Sequence, residues 1–395
     1  LEQNGVPPLP SLDAVADPEN LIRVFRELSH RAGQAPGPDG LTYADLGRGE
    51  AAGLLRGLGQ AIRAGTYRPG PGRRVRIPKS GAMGHRVLTV RGILDRVVAA
   101  ALNERLTPYW EPLFLPGSFG FRPRRGVWHA LARLERAMTQ QDRWVLATED
   151  IRDAFGSVVL DDVLADHRRH LADPGLLRLL EVVLRGTEDG SPKTGIDQGN
   201  AYSPTALNVR LHFAHDRGFG PGPLHPPWLR YADNVVYACQ SVSEGIQALN
   251  HARHLLARAG FSLKGEDGPP RDLRQGHRAS LLGFVVSCRE GQVAYALGKY
   301  AWDGLAQSLV RAHEAEDPSQ AARTAVLGWV NAYGPALASL RSATPGRVLT
   351  TAASLGFREV TTSQELRERW EASYRRWCAL RRAYGSEGGE RALSP

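Results

Sequence analysis

Two carboxylates stand where the chain can put them to chemical use. Asp150 closes the apolar run Val145-Leu146-Ala147-Thr148, and Asp233 lies between Leu229-Arg230-Tyr231 and Val235-Val236-Tyr237-Ala238. Alone, either reads as a turn or cap aspartate, because Asp is a favoured turn residue. As a pair they can do more. Strands of one sheet with carboxylates at their ends can bring both onto a shared Mg²⁺ site, and this ion prefers a few carboxylates, waters and substrate phosphates to a full protein cage. Two metals about 3.5–4 Å apart stabilise the attacking and leaving oxygens of nucleotidyl transfer. Other chemistries fare worse. The pairs His167/His170, His212/His215 and His251/His254 have helical i, i+3 spacing, but no carboxylate or cysteine pattern completes a metal set. A Gly-x-Ser-x-Gly elbow and a Walker-type glycine loop are both missing from the sequence.

The elements that must position these groups follow from periodicity. The run 144–148 predicts a strand, and 229–238 predicts a hairpin with Asp233 at its tip. A second hairpin is expected from strands 75–78 and 86–90 around a turn at Lys79-Ser80-Gly81. Helices are expected at 20–32, 51–64, 92–106, 160–186, 243–259, 299–313, 320–340 and 364–384, with a strand at 280–286. Residues 1–20, punctuated by proline, are expected to be loosely held. Helix-rich flanks around a small β centre predict an α+β fold with an all-helical C-terminal domain.

Composition bounds the function classes. The chain has 395 residues, of which 42% are hydrophobic and 23% charged, so it belongs with folded globular proteins and has room for two or three domains or subdomains. Cations outnumber acids 50 to 41, for a net charge of +9, and all but four of the cations are arginine. Arginine suits bidentate phosphate contacts, so the balance is compatible with a polyanion partner and equally with a soluble surface. No apolar run approaches a membrane span, and with Leu1-Glu2-Gln3 at its start no signal peptide is expected. Cys239, Cys288 and Cys378 are too scattered for a disulfide framework or a zinc site. A cytoplasmic location is expected.

Beyond the carboxylates, the chain resembles a known family. Asp150-Ile151-Arg152-Asp153-Ala154-Phe155, Gln198-Gly199-Asn200-Ala201-Tyr202-Ser203-Pro204 and Tyr231-Ala232-Asp233-Asn234 are similar to three palm motifs of reverse transcriptases of the bacterial group II intron-like class. Pro36-Gly37-Pro38-Asp39-Gly40, Ile77-Pro78-Lys79, Ser118-Phe119-Gly120-Phe121-Arg122-Pro123 and Leu282-Gly283-Phe284 match in family order. Gly328-Trp329-Val330-Asn331-Ala332-Tyr333 resembles the thumb-like maturase segment. No endonuclease domain is expected after it.

The resemblance implies a right-hand polymerase: an N-terminal extension at 1–30, fingers and palm at 31–297 with an antiparallel palm sheet, and a helical thumb and tail at 298–395. It implies an RNA-directed DNA polymerase that uses deoxynucleoside triphosphates, an RNA template, a DNA or RNA primer, and Mg²⁺, with Mn²⁺ as the alternative ion. Asp150, Asp233 and Asn234 would form the catalytic set, with Asp150, Asp233 and the Ile151 carbonyl on the metal. Phe155 would lie beneath the incoming sugar and exclude a 2′-hydroxyl. Gln198 and Gly199 would shape the nucleotide pocket, and Arg86 and Lys79 would meet the triphosphate. Arg122, Arg375 and Arg376 would contact nucleic acid. The arginines around Trp370, Tyr374 and Trp377 can also be read as the wet face of an amphipathic helix.

Three positions depart from the family pattern. Asn234 replaces an aspartate, Asp197 replaces a proline before Gln-Gly, and Asp267 stands where the family has a lysine, with Lys264 three residues earlier. Two alternatives accompany the polymerase expectation. One is a domesticated antiviral-defence relative making atypical or untemplated DNA, with a dedicated noncoding RNA. The other is a polymerase-inactive RNA-binding scaffold.

Overall fold

The apolar strands around the two carboxylates are divided between two cores by their own alternation. In β3 (Val145–Asp150) and β5 (Asn234–Cys239), Val145, Ala147, Val235, Tyr237 and Cys239 pack into the larger core, while Leu146, Val236 and Ala238 pack into a second one. Successive side chains of a strand point to opposite faces, so a strand covered on both sides must read as a continuous apolar run. A computed structural model describes residues 9–31, 35–78, 84–186, 193–220, 224–339 and 343–385. Within them the molecule mixes helices with antiparallel sheets, as expected.

The sheet order is β4-β5-β3-β6, with β4 at Trp228–Tyr231 and β6 at Arg271–Asp272. The register pairs Asp150 with Asn234 and Tyr231 with Asn234. A separate hairpin joins β1 (Arg73–Pro78) to β2 (His85–Val90), with Ile77 opposite Arg86. Its expected turn, and Lys79 with it, lies outside the described residues.

Several expectations need correction. The single strand expected at 280–286 is two, β7 (Ala279–Leu281) and β8 (Phe284–Arg289), because Leu282 and Gly283 both take left-handed φ, 50° and 88°. This is the backbone of a tight two-residue hairpin turn, which a continuous apolar run conceals. A third strand, β9 (Gln292–Leu297), completes that sheet. The helix expected at 160–186 is likewise two, Leu160–Arg168 and Pro174–Arg185. Asp173 caps the second by accepting from the Gly175 and Leu176 amides, with proline in its first turn. The helix expected at 320–340 ends at Ala332.

The N-terminal stretch also differs. Leu12–Ala16 is a helix capped by Ser11, and Val15 and Ala16 are fully buried. Asp173 accepts from the Leu12 amide at 2.7 Å, so this short helix is tied across the core. Helices Val127–Gln140, Ser203–Ala214 and Ala343–Ser354 were not anticipated.

A third core, around Leu305, Leu309, Val326, Val330 and Trp370, belongs to the C-terminal helices. The last of them, Ser363–Gly385, joins two cores, because Trp370 enters the third while Trp377, two turns on, enters the second. No described helix is long and apolar enough to cross a membrane.

Candidate active site

The end of β3 is where the chemistry-bearing residues converge. Beyond the Asp150–Asn234 pair, the Ile151 amide donates to the Asp233 carbonyl at 2.8 Å, which ties the hairpin turn to the end of β3. On its other side Ile151 bridges to Leu263. The Lys264 amide donates to the Asp150 carbonyl at 2.9 Å, and the Arg152 amide to the Ser262 carbonyl at 2.8 Å. Asp150, Ile151, Asp233 and Asn234 are thus brought together by backbone bonds alone.

The same ladder places Lys264. Its Nζ lies 2.6 Å from Asp150 Oδ2, with both side chains about one-third exposed. Burial alone would lower the ammonium, but the Asp150 contact holds it above its ordinary value. Lys264 therefore reaches the site from its displaced position. Asp267 lies near the same carboxylates, where burial and the charge of Asp150 raise its carboxyl.

Asp233 is raised from the usual carboxylate range, chiefly by burial and then by the nearby charge of Asp150. Asn234 Nδ2 donates to Asp233 Oδ1 at 3.3 Å, where an aspartate would add a third negative charge. Among the described residues no group of three or more His, Cys, Asp and Glu side chains is set to hold a metal ion. What the end of the sheet provides is two close carboxylates, with neutral oxygens from Asn234 and Ile151. That donor set fits a hard divalent ion completed by water and phosphate.

Beneath the turn lies a buried ionic network. Arg230 is fully buried in β4 and bonds Asp216 through Nε (2.9 Å) and Nη2 (2.7 Å). The same guanidinium donates to Asn208 Oδ1, Ser118 Oγ and the Ala232 carbonyl. His215 bonds both Asp216 and the Tyr237 hydroxyl, and a neutral ring with its proton on Nδ1 satisfies both contacts. Ala232 itself takes a left-handed φ of 56°. Segment 117–119 runs along β4, the Phe119 amide donating to the Arg230 carbonyl and the Arg230 amide to the Gly117 carbonyl. Gly120 then passes so close that a Cβ there would stand 2.2 Å from the Ala232 nitrogen. Gly120→Ala is expected to cost about 1–3 kcal/mol by overpacking, measured as a lower denaturant midpoint.

A second group forms beside the carboxylates. Phe155, half-buried, faces Phe121 with ring centroids 6.0 Å apart, and its carbonyl accepts from the Ile196 amide at 3.0 Å. That bond leads into the loop of Gln198 and Gly199. The Gln198 carbonyl accepts from the Thr89 amide at 2.7 Å, and Gly199 has φ 110° with Thr89 O only 2.7 Å from where a Cβ would be. Arg86 stands exposed on β2, three residues from Thr89, about 10 Å along the strand.

Asp197 explains its own departure from the expected proline. Its carboxylate accepts from Thr89 Oγ1 (3.0 Å) and from Arg91 Nε (3.0 Å) and Nη2 (2.5 Å), which fastens β2 to the Gln198 loop. Asp197→Ala is expected to cost about 1–3 kcal/mol, the scale of charged hydrogen bonds, read by chemical denaturation.

Arg122 is a correction. Its guanidinium is buried on Glu111 and also donates to the Leu115 and Ser118 carbonyls, so it is not available to nucleic acid. Buried arginine with a buried acid is a structural pair that sequence alone does not separate from a surface contact. Arg375 and Arg376 are exposed on the last helix, the former 3.9 Å from Glu371 and the latter bonded to Asn331. Trp370 and Trp377 face the cores, as the amphipathic reading expects. His167 and His215 are buried, with both ring nitrogens of each in hydrogen bonds. The sequence reading gave no role to Arg230, Asp216 or Gly120. The available signal was an arginine inside an otherwise apolar strand.

Residues 77–266 match the family described as "Reverse transcriptase (RNA-dependent DNA polymerase)". "Protein YkfC" of Escherichia coli (strain K12) is 31% identical over 220 residues, which cover 52% of this chain and 57% of that protein. "Group II intron-encoded protein LtrA" of Lactococcus lactis subsp. cremoris is 27% identical over 158 residues, 39% of this chain and 26% of that protein. "Uncharacterized 91 kDa protein in cob intron" of Schizosaccharomyces pombe (strain 972 / ATCC 24843) is 30% identical over 158 residues, 39% of this chain and 19% of that protein. The chain thus spans little more than half of the first relative and smaller shares of the others.

Proposed function

We propose that the chain, whose residues 77–266 match the reverse transcriptase family, is an RNA-directed DNA polymerase of the group II intron-like kind working at Asp150 and Asp233. The observation that carries this reading is the β3–β5 register. It sets both carboxylates at one end of the sheet, close enough that Asp150 raises Asp233. In this reading 31–297 act as fingers and palm, and 298–395 as a helical thumb and tail.

The primer 3′-hydroxyl attacks the α-phosphate of a deoxynucleoside triphosphate, a new phosphodiester bond forms and pyrophosphate leaves. Asp150, Asp233, the Ile151 carbonyl and the Asn234 amide oxygen would hold Mg²⁺ or Mn²⁺. Such an ion supplies positive charge to the attacking and leaving oxygens. The protein's own share is placement. Arg86 offers a cation to the triphosphate, the Asp197–Arg91 pair keeps β2 against the Gln198-Gly199 loop, and Phe155 presents a ring where a ribose 2′-hydroxyl would sit. Lys264 balances the charge of Asp150. Arg375 and Arg376 face solvent, where they can meet the phosphates of an RNA template paired to a DNA or RNA primer, with contacts that weaken as salt rises.

The test is labelled-deoxynucleotide incorporation on primed RNA templates in Mg²⁺ and in Mn²⁺. Extension supports the reading, and no extension on any primed template in either ion counts against it. A second reading, an RNA-binding scaffold that does not polymerise, is favoured by Asn234 and by the Lys264 ammonium on Asp150. It predicts RNA retention by the purified protein with no incorporation, and no gain on Asn234→Asp.

A further inference from the structure

Phe121 holds a conformation that its residue type disfavours. The Arg122 amide bonds the Phe119 carbonyl at 3.4 Å, so Gly120 and Phe121 are the central residues of a tight turn. Phe121 has φ 61°, at the position where such a turn ordinarily takes glycine. A bulky residue at positive φ is a conformational outlier, and outliers of this kind persist where the surroundings over-determine them.

The surroundings here are specific. Phe119 is fully buried and bonded to Arg230, Gly120 is pressed on the Ala232 backbone, and Arg122 is buried on Glu111. The turn therefore cannot retract, and Phe121 is left 47% exposed beside the catalytic hairpin. Its ring meets Phe155 at 6.0 Å between centroids and 71° between planes, the edge-to-face arrangement in which aromatic rings attract.

We propose that Phe121 is a positioning residue for sugar selection: its ring fixes the Phe155 ring in the orientation that excludes a ribose 2′-hydroxyl. The inference deepens the polymerase reading and rests on it. Phe155 has the main core on one side and Phe121 on another, so removing the Phe121 ring leaves Phe155 room to swing aside and admit ribonucleotides. The turn itself does not need the ring, because glycine suits its backbone better.

The experiment compares kcat/KM for a deoxynucleoside triphosphate and the matching ribonucleoside triphosphate on one primed RNA template. The proteins are the wild type, Phe121→Gly, Phe121→Tyr, Phe155→Val and the Phe121→Gly/Phe155→Val double variant. Phe121→Gly is expected to lower deoxy-over-ribo discrimination about tenfold or more, the scale of one lost apolar contact in a selective pocket. Phe121→Tyr is expected to keep it, and the double variant is expected to discriminate no worse than Phe155→Val alone. Phe121→Gly with wild-type discrimination, while Phe155→Val loses it, overturns the inference and leaves the polymerase reading standing. Unchanged discrimination in Phe155→Val overturns the gate and the inference together. Absence of incorporation by the wild type overturns the polymerase reading itself.

Discussion

Arg230→Met is expected to destabilise the protein by about 3–5 kcal/mol, the cost of breaking a buried ion pair by removing one partner. The substitution leaves the Asp216 carboxyl buried without its guanidinium, with His215 as its remaining side-chain partner among the described residues. It also removes the donors that hold Asn208, Ser118 and the Ala232 carbonyl, so the turn that carries Asp233 loses its floor along with the core. Asp216→Ala is expected to cost as much from the other side. Because the two residues form one unit, the double variant Arg230→Met/Asp216→Ala should cost less than the sum of the singles in denaturant unfolding. The pH dependence has a definite sign. Arg230 and His215 outweigh burial and hold the Asp216 carboxyl below its ordinary value of 3.8. The stabilisation is therefore present in full above that value and is lost as the pH falls below it. Burial also lowers His215, so its protonation in acid works in the same direction.

Asp150→Ala is expected to reduce deoxynucleotide incorporation by roughly 10³-fold or more, the scale of losing a principal electrostatic contributor to a transition state. Asp233→Ala should do the same. Neither should unfold the protein. The strand pairing of Asp150 and the Lys264 amide bond both run through backbone atoms, and the Asp150–Lys264 ion pair is partly open to water. Pairs of that kind contribute about 1 kcal/mol or less. A variant that keeps its unfolding midpoint but loses incorporation separates chemistry from stability. Loss of both in Asp150→Ala would instead assign the carboxylate a structural role.

How much of this was legible in the chain depended on whether local residues or distant partners carried the information. Asp150 and Asp233 were visible because each ends or turns an apolar strand, and strand periodicity places them without reference to the rest of the molecule. Phe155 followed from its distance past Asp150, given the family resemblance. Lys264 was less visible. Its three-residue displacement looked like a loss, yet the antiparallel bridge Ile151–Leu263 carries the lysine onto Asp150. Arg122 misled for the opposite reason, since its partner Glu111 lies on another segment and burial cannot be read from a motif. The break at Leu282-Gly283 hid inside an apolar run, because positive φ at two adjacent residues leaves no mark on hydrophobic periodicity. Helix Ser203–Ala214 escaped for a related cause. It is buried nearly all round, so its apolar residues show no face.

The central claim is that Asp150 and Asp233 together carry templated DNA synthesis. The most direct measurement is primer extension on RNA templates of several sequences, with the products sequenced, comparing the wild type with the Asp150→Ala/Asp233→Ala double variant at equal folded concentration. The predicted result is DNA complementary to each template from the wild type and none from the double variant. Incorporation by the wild type no greater than by the double variant, across all templates and primers in Mg²⁺ and Mn²⁺, would contradict the claim.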